Sequence, residues 1–476
     1  MTMFSRMLRP LAATCLTIGL SVIAAPVGAQ VFNPETFTLS NGMQVVVVTN
    51  HRVPVVSHMV YYKVGSADET GGKSGLAHMV EHMMFKGTKT VPAGEFSQTV
   101  ARNGGRENAF TTADYTAFYQ NVAVDRLGLV MKLEADRMAN LSLQDKDFQP
   151  ERQVVLEERR MRIENEPDAL LEEQIEAALY LNSPYHHPVI GWRNEIEKYT
   201  LRDVVDFHRR WYAPNNAILL VSGDITAAQL KPLAEKYYGV IPARSVPMRQ
   251  RTEEPPPVAA RTVEMRDPDV HQPSWERLYL APSYHAGDSK YAYPLEILSE
   301  VLGGGTTSRL YKSLVVDQKL ASSASAGYEP GSIGLTSFVF EASPRAGISM
   351  ERLQAAMAEQ IQTVATQGVS AEEVDQAKQR LHTAIAYAKD SYSSGGRVLG
   401  AALATGESVA DVEAWPARIA AVTPEQVNEA ARQVLRDERA VTGLLLPAGS
   451  SDATTEAVTS EPSAKLPAAM SGRELR

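Results

Sequence analysis

Two valine- and tyrosine-rich segments open the patterned part of the chain, residues 37–50 around the turn pair Asn41-Gly42 and residues 53–65. β-Branched and aromatic residues bounded by turn formers predict strands. Helical periodicity follows over 76–85 and again over 127–162. Between these helices, Gly104-Gly105 leads into residues 108–122, whose threonine, tyrosine and phenylalanine content favours a strand. Residues 201–211 read as a helix that runs into a strand at 218–222. Helices and strands alternate, but the early strands can pair as hairpins. The pattern therefore predicts an α+β fold rather than a doubly wound sheet.

Residues 241–260 interrupt the pattern, with Pro242, Pro247 and Pro255-Pro256-Pro257 set among charges. That is the composition of an extended, semi-rigid linker. Beyond it the order of elements starts again. Tyr199-Thr200-Leu201 is echoed by Val422-Thr423-Pro424, the segment 219–223 by 441–446, and the helix after Asp147 by one after Ser370. The echoes share an offset of roughly 220 residues, which predicts a duplicated domain rather than a solenoid of short repeats. The expected organisation is a domain over 31–240, the linker, a homologous domain over 261–447 and a disordered tail over 448–476, rich in Ser, Thr, Ala and Pro.

The first 29 residues read as a signal peptide. Arg6 and Arg9 precede an apolar run over 11–25, and Pro26, Val27, Gly28 and Ala29 supply small residues for cleavage. The run is shorter than the roughly 20 residues a spanning helix needs, so no stable membrane span is expected. Cleavage after Ala29 removes Cys15, the only cysteine, and moves the net charge from −9 to about −11. An exported chain without thiols suits an oxidising compartment such as the bacterial periplasm. The 47 basic against 56 acidic residues, with no basic block, argue against nucleic acid as a partner.

The chemistry is carried by Gly75-Leu76-Ala77-His78-Met79-Val80-Glu81-His82-Met83-Met84-Phe85. His78 and His82 stand four apart, so on a helix their imidazoles leave one face and can share a cation. Glu81 lies on that face as well, in the His-x-x-Glu-His order of inverted zinc peptidases. Leu76, Met79, Val80, Met83 and Met84 would bury such a helix. A catalytic zinc needs a third protein ligand, and the acidic helix over 151–158 offers candidates. Glu151 and Glu158 are two turns apart on one face, while Glu157 is rotated by roughly 100°. Periodicity does not choose between them. His186, His187 and His208 read as loop and helix residues without a metal role. Gly303-Gly304-Gly305 lacks the Lys-Ser/Thr of a phosphate loop and reads as a helix end or glycine-rich loop.

The His78 motif with Phe85-Lys86-Gly87-Thr88, the segment 104–119 and the helix 151–158 resemble the pitrilysin family of zinc peptidases. Within it the chain is similar to the mitochondrial processing peptidase branch, of the active-subunit type. The resemblance implies two homologous α/β-sandwich halves that form a clamshell, joined near Pro255 and assembled with a second chain. It implies one zinc ion per chain, because the second half has no such motif. The family's third ligand lies 76 positions beyond the second histidine, which is Glu158. Glu151 matches an acidic position that supports the metal-site helix without ligating. Glu81 matches the general base of a zinc endopeptidase. The segment 106–118 resembles the family's edge strand, so Asn108, Ala109 and Phe110 are the expected substrate-binding residues for peptides added as a strand.

One departure stands out. Relatives carry an arginine and, seven residues later, a tyrosine in the second half; here Val315 and Ser322 stand at those positions. Valine donates no hydrogen bond and serine is short. This implies a heterodimer with a homologous non-zinc subunit that supplies the arginine and tyrosine. The alternative is a homodimer or monomer in which Arg309, Tyr311 or Tyr328 serves. The rival to an enzyme is a non-catalytic, peptide-binding or assembly subunit of a processing-peptidase-like complex.

Overall fold

The computed structural model describes residues 31–448. The expected signal peptide, and the expected tail apart from Ala448, lie outside the described residues. Among the described residues no helix is long and apolar enough to cross a membrane.

Strands β1 (Glu35–Thr38) and β2 (Gln44–Thr49) form a hairpin across Asn41-Gly42. Gly42 takes a left-handed φ of 87°, and Asn41 Nδ2 donates to the carbonyls of Tyr238 and Ile241. With β3 (Val55–Tyr62), β4 (Arg106–Thr111), β5 (Thr116–Ala123) and β6 (Ala217–Gly223) they make a six-stranded sheet of order β1-β2-β6-β3-β5-β4. The second sheet holds β7 (Arg261–Asp267), β8 (Ser274–Ala281), β9 (Ala321–Tyr328), β10 (Thr336–Pro344) and β11 (Ala440–Pro447), in the order β7-β11-β8-β10-β9. Each sheet has one parallel pair, β2–β6 and β7–β11, followed by antiparallel neighbours. Set side by side, β2-β6-β3-β5-β4 and β7-β11-β8-β10-β9 are the same topology. The duplication is therefore visible in the backbone. Even the helix starts match: Thr200 with Asp203, and Thr423 with Gln426, close capping boxes on the Leu201–Trp211 and Pro424–Val434 helices.

Several local expectations are corrected. The stretch 127–162 is not one helix but Leu127–Asn140 and Asp145–Arg159, followed by a π-helical turn at Arg160–Glu164. The break falls where Leu141 bridges to Thr88 and Ser142 N donates to Gly87 O, a long-range contact that local periodicity cannot announce. The expected strand over 108–122 is a hairpin, β4–β5, turned at Thr112, whose hydroxyl accepts the amides of Asp114 and Tyr115. Of the early strands, β2 and β3 do not pair, because β6 lies between them. Gly303 ends the Ala292–Gly303 helix, one of the two outcomes expected for the glycine run.

The central strands of each sheet are buried on both faces, which explains runs such as Val45-Val46-Val47-Val48. On the inner face of the first sheet Val45, Val47, Val60 and Leu219 pack against the first half's own helices, including Leu76–Met83. On its outer face Val46, Met59, Tyr61 and Leu220 pack against Leu399 and Leu403, from the second half's Ser394–Thr405 helix. Reciprocally, Leu171, Ile175 and Leu179 of the first half's Pro167–Leu179 helix cover Leu278, Leu280, Val441 and Leu445 of the second sheet. The halves exchange helices. Glycine permits the close approach: a Cβ at Gly400 would lie 2.2 Å from the Tyr61 ring, and one at Gly443 would lie 2.0 Å from Ile175 Cδ1.

The linker is also fastened. Arg249 and Arg251 reach back to the buried carboxylates of Asp68 and Asp114, with Arg251 at 2.6 and 2.8 Å. Asp114 also accepts from Tyr185 Oη (2.7 Å) and from the second half's Ile333 N (3.0 Å). Glu254 accepts the amides of Leu181, Asn182 and Ser183. The joint near Pro255 is thus tied to both halves rather than a free linker.

Candidate metal centre

The Leu76–Met83 helix is placed from its first turn. Gly75 has a left-handed φ of 85°, and a Cβ there would lie 2.3 Å from Ile190 O. The buried carboxylate of Glu69 accepts Gly75 N (3.0 Å) and Ala77 N (2.6 Å), satisfying amides that a helix start leaves open. Leu76, Met79, Val80 and Met83, at helical spacing, anchor one face in the core. His78 and His82 thereby face the Asp145–Arg159 helix.

There the structure brings His78, His82 and Glu158 together, with one donor atom from each lying within 4.8 Å of the others. Glu158 Oε2 is 3.1 Å from His82 Nε2 and 3.8 Å from His78 Nε2. His78 is fully buried, and neither ring nitrogen has a hydrogen-bond partner. Such an orphaned group costs about 1–3 kcal/mol, which a metal ion accepting its lone pair would relieve. Burial, reinforced by the neighbouring His82 and Arg162, holds the His78 imidazole well below its ordinary pKa and so neutral, as a ligand must be.

His82 is arranged differently. Its Nδ1 meets Glu151 Oε1 at 2.9 Å, leaving Nε2 directed at Glu158. Glu151 Oε2 is paired with Lys86. A carboxylate behind a ligating histidine fixes its tautomer and raises its basicity. Burial alone would lower the pKa of His82, but Glu151 and Glu158 lift it to about 9, so the pocket favours positive charge at Nε2. A cation suits this donor set. Glu151 reaches His82 from behind, while Glu158 stands among the donor atoms. Glu157 points away, exposed and paired with Arg160.

Glu81 is buried beside this cluster, and burial pushes its pKa up to about 7 against the opposing hydrogen bond from Thr111 Oγ1 (2.5 Å to Oε2). A carboxylate with a pKa near neutrality can take and return a proton. Thr111 is the last residue of β4, the free edge of the first sheet. Ala109 and Phe110 on that strand are buried, and Asn108 Oδ1 accepts its neighbour's amide (3.0 Å).

Lys86 and Arg162 were not anticipated: Lys86 lies past the end of the Leu76–Met83 helix, while Arg162, four residues after Glu158, reaches back to it. Glu69 and Thr111 come from a loop and a strand, where no periodicity marks them. His208 stacks on Tyr212, and among the described residues no second group of potential ligands converges.

A profile described as Insulinase (Peptidase family M16) matches residues 44–192, and one described as Peptidase M16 inactive domain matches 198–381. The zinc protease PqqE of Helicobacter pylori is 38% identical over 312 residues, 64% of this chain and 69% of that one. A zinc protease of Mycobacterium leprae is 30% identical over 402 residues, 84% of this chain and 88% of that one.

The chain belongs to peptidase family M16.

A crystal structure of a protease from Helicobacter pylori shares the M16 fold with a TM-score of 0.81 and 31% identity, covering 87% of this chain and 99% of that one. The periplasmic protease PqqL of Escherichia coli, at 21% identity and a TM-score of 0.75, matches 88% of this chain but only 48% of its own length. One M16 unit of this size thus corresponds to half of that longer chain.

Proposed function

We propose that this M16 chain is a zinc-dependent endopeptidase that cuts peptides or unfolded segments. One observation carries the reading: His78, His82 and Glu158 converge while Glu81, buried beside them, is left out of the donor set. Relatives named as zinc proteases support the choice of metal. When bound, zinc supplies a Lewis acid that acidifies water and polarises a peptide carbonyl. Glu81 takes the proton from the attacking water and delivers it to the leaving amine. Thr111 holds Glu81 in place, and Glu151 with Lys86 holds His82. The edge of β4, with Asn108, Ala109 and Phe110, receives the substrate as an added strand, which favours extended chains. A mixed peptide library, incubated with and without chelator, tests this: chelator-reversible cleavage is expected, and cleavage by the Glu81→Gln variant would overturn it.

The enzyme is proposed to be one half of a pair. Val315 is a buried residue of a π-helical segment, Tyr311–Asp317, and Ser322 Oγ donates to the carbonyls of Ser343 and Pro344. The substitutes within this chain are engaged. Arg309 grips Glu373 at 2.8 and 2.6 Å, Tyr328 Oη donates to Pro282 O, and Tyr311 packs on the second core. A homologous partner supplying arginine and tyrosine fits, and the double length of PqqL accords with pairing of two such units. The signal-like N-terminal 29 residues support export, with the periplasm as the proposed compartment. Purified alone and with candidate homologues, the chain is expected to gain peptidase activity and mass with the right partner. Full activity alone would overturn the pairing.

A further inference from the structure

The Asp145–Arg159 helix widens at its end into the π-helical turn Arg160–Glu164, where Asn165 N reaches back five residues to Arg160 O (2.9 Å). Widened turns of this kind recur at functional sites. Three arginines leave the stretch towards different carboxylates. Arg159 grips Glu173, and Arg160 pairs with Glu157 on the exposed face. Arg162 places NH1 3.2 Å from Oε1 of Glu158, an ion pair without hydrogen-bond alignment to an oxygen that has no hydrogen-bond partner of its own. The two oxygens of the candidate ligand are thereby divided. Oε2 faces both histidines and Oε1 faces the guanidinium.

We propose that Arg162 is a positioning residue that restricts Glu158 to ligation through one oxygen and so keeps the site four-coordinate, with water in the fourth position. The proposal rests on the zinc reading above. A carboxylate can bind a cation through one oxygen or two. A catalytic zinc site takes three protein ligands and leaves the fourth position for water or substrate. If both oxygens of Glu158 turned inward beside a bound water, the ion would be five-coordinate and would acidify that water less. An exposed i,i+4 ion pair would do little. This one is not exposed at its acidic end, since the Glu158 side chain is only 10% accessible. Arg162 is itself one-third accessible, so its removal leaves the core intact.

Cobalt(II) loaded into the full chain in place of zinc is the probe, because four-coordinate cobalt absorbs visible light far more strongly than five-coordinate cobalt. Arg162→Gln is expected to lower the visible absorption per bound cobalt. In the zinc form it is expected to lower kcat about 10–100-fold, the usual effect of losing a group behind a ligand, with a smaller change in KM. Arg162→Lys should restore most of both, and Arg160→Gln should leave both as in the wild type. An unchanged cobalt spectrum in Arg162→Gln, or a chain that binds no cobalt, would overturn the proposal. A changed spectrum in a chain that cuts no peptide, either alone or with any candidate homologue, would sink the peptidase reading and leave the role of Arg162 standing.

Discussion

Thr111 closes the edge strand β4 by donating its hydroxyl to Glu81 Oε2 at 2.5 Å. The strand proposed to hold substrate and the carboxylate proposed to move its proton are thus one hydrogen bond apart. Glu81→Gln is expected to abolish hydrolysis and keep zinc, since it removes the base and no ligand. Thr111→Val should keep zinc and lose roughly 10–100-fold in kcat, because a hydrogen bond to a charged group is worth about 1.5–3 kcal/mol. Metal analysis beside kinetics checks both.

The neighbouring acids are expected to separate by role. His78→Ala, His82→Ala and Glu158→Ala should lose metal as well as activity. Glu151→Gln should weaken zinc binding about 10–100-fold without abolishing it, because Glu151 acts through His82 Nδ1. Glu157→Ala should change neither, as Glu157 is exposed and faces Arg160. Zinc titration against a competing chelator orders these variants, and full zinc content in Glu158→Ala would refute the ligand assignment.

The exchange of helices predicts that the two halves unfold together. Gly400→Val would drive a side chain into the Tyr61 ring, where even a Cβ is 2.2 Å away. Overpacking of this kind costs about 1–3 kcal/mol. Leu399→Ala, in the same cluster, should cost about 2–5 kcal/mol. Denaturant unfolding followed separately in each half should show both halves shifting by the same amount. Destabilisation confined to the second half would mean that the shared core contributes little.

What could be read in advance divides by distance along the chain. His78, Glu81 and His82 share one helix, so four residues of spacing place them. Glu151 and Glu158 share a helix face, and spacing does not separate them. The difference lies in which ring nitrogen of His82 each approaches, a three-dimensional fact that spacing does not carry. The duplication was legible as echoes at a fixed offset. The lacing of the halves was not, because the small residues that allow it, Gly400 and Gly443, mark no element by themselves. The break after Asn140 likewise depends on Thr88, more than fifty residues upstream.

The second half carries a pH dependence of its own. Glu296 is buried, and burial raises its pKa to about 7 even though Tyr284 Oη (2.6 Å) and Trp415 Nε1 (2.9 Å) donate to its two oxygens and favour the charge. In the unfolded chain the same carboxyl titrates near its ordinary value of 4.5. Between those two pH values the folded state binds the extra proton, so stability falls as pH rises from about 4.5 to about 7 and is flat above. The loss attributable to Glu296 is at most about 3 kcal/mol. Glu296→Gln keeps an acceptor for Tyr284 or Trp415 and removes the charge. Denaturant midpoints of the variant and the parent should therefore converge at pH 5 and separate in favour of the variant at pH 8. Parallel pH profiles for the two chains would show that Glu296 is already ionised at pH 5 in the fold, with its two donors outweighing burial.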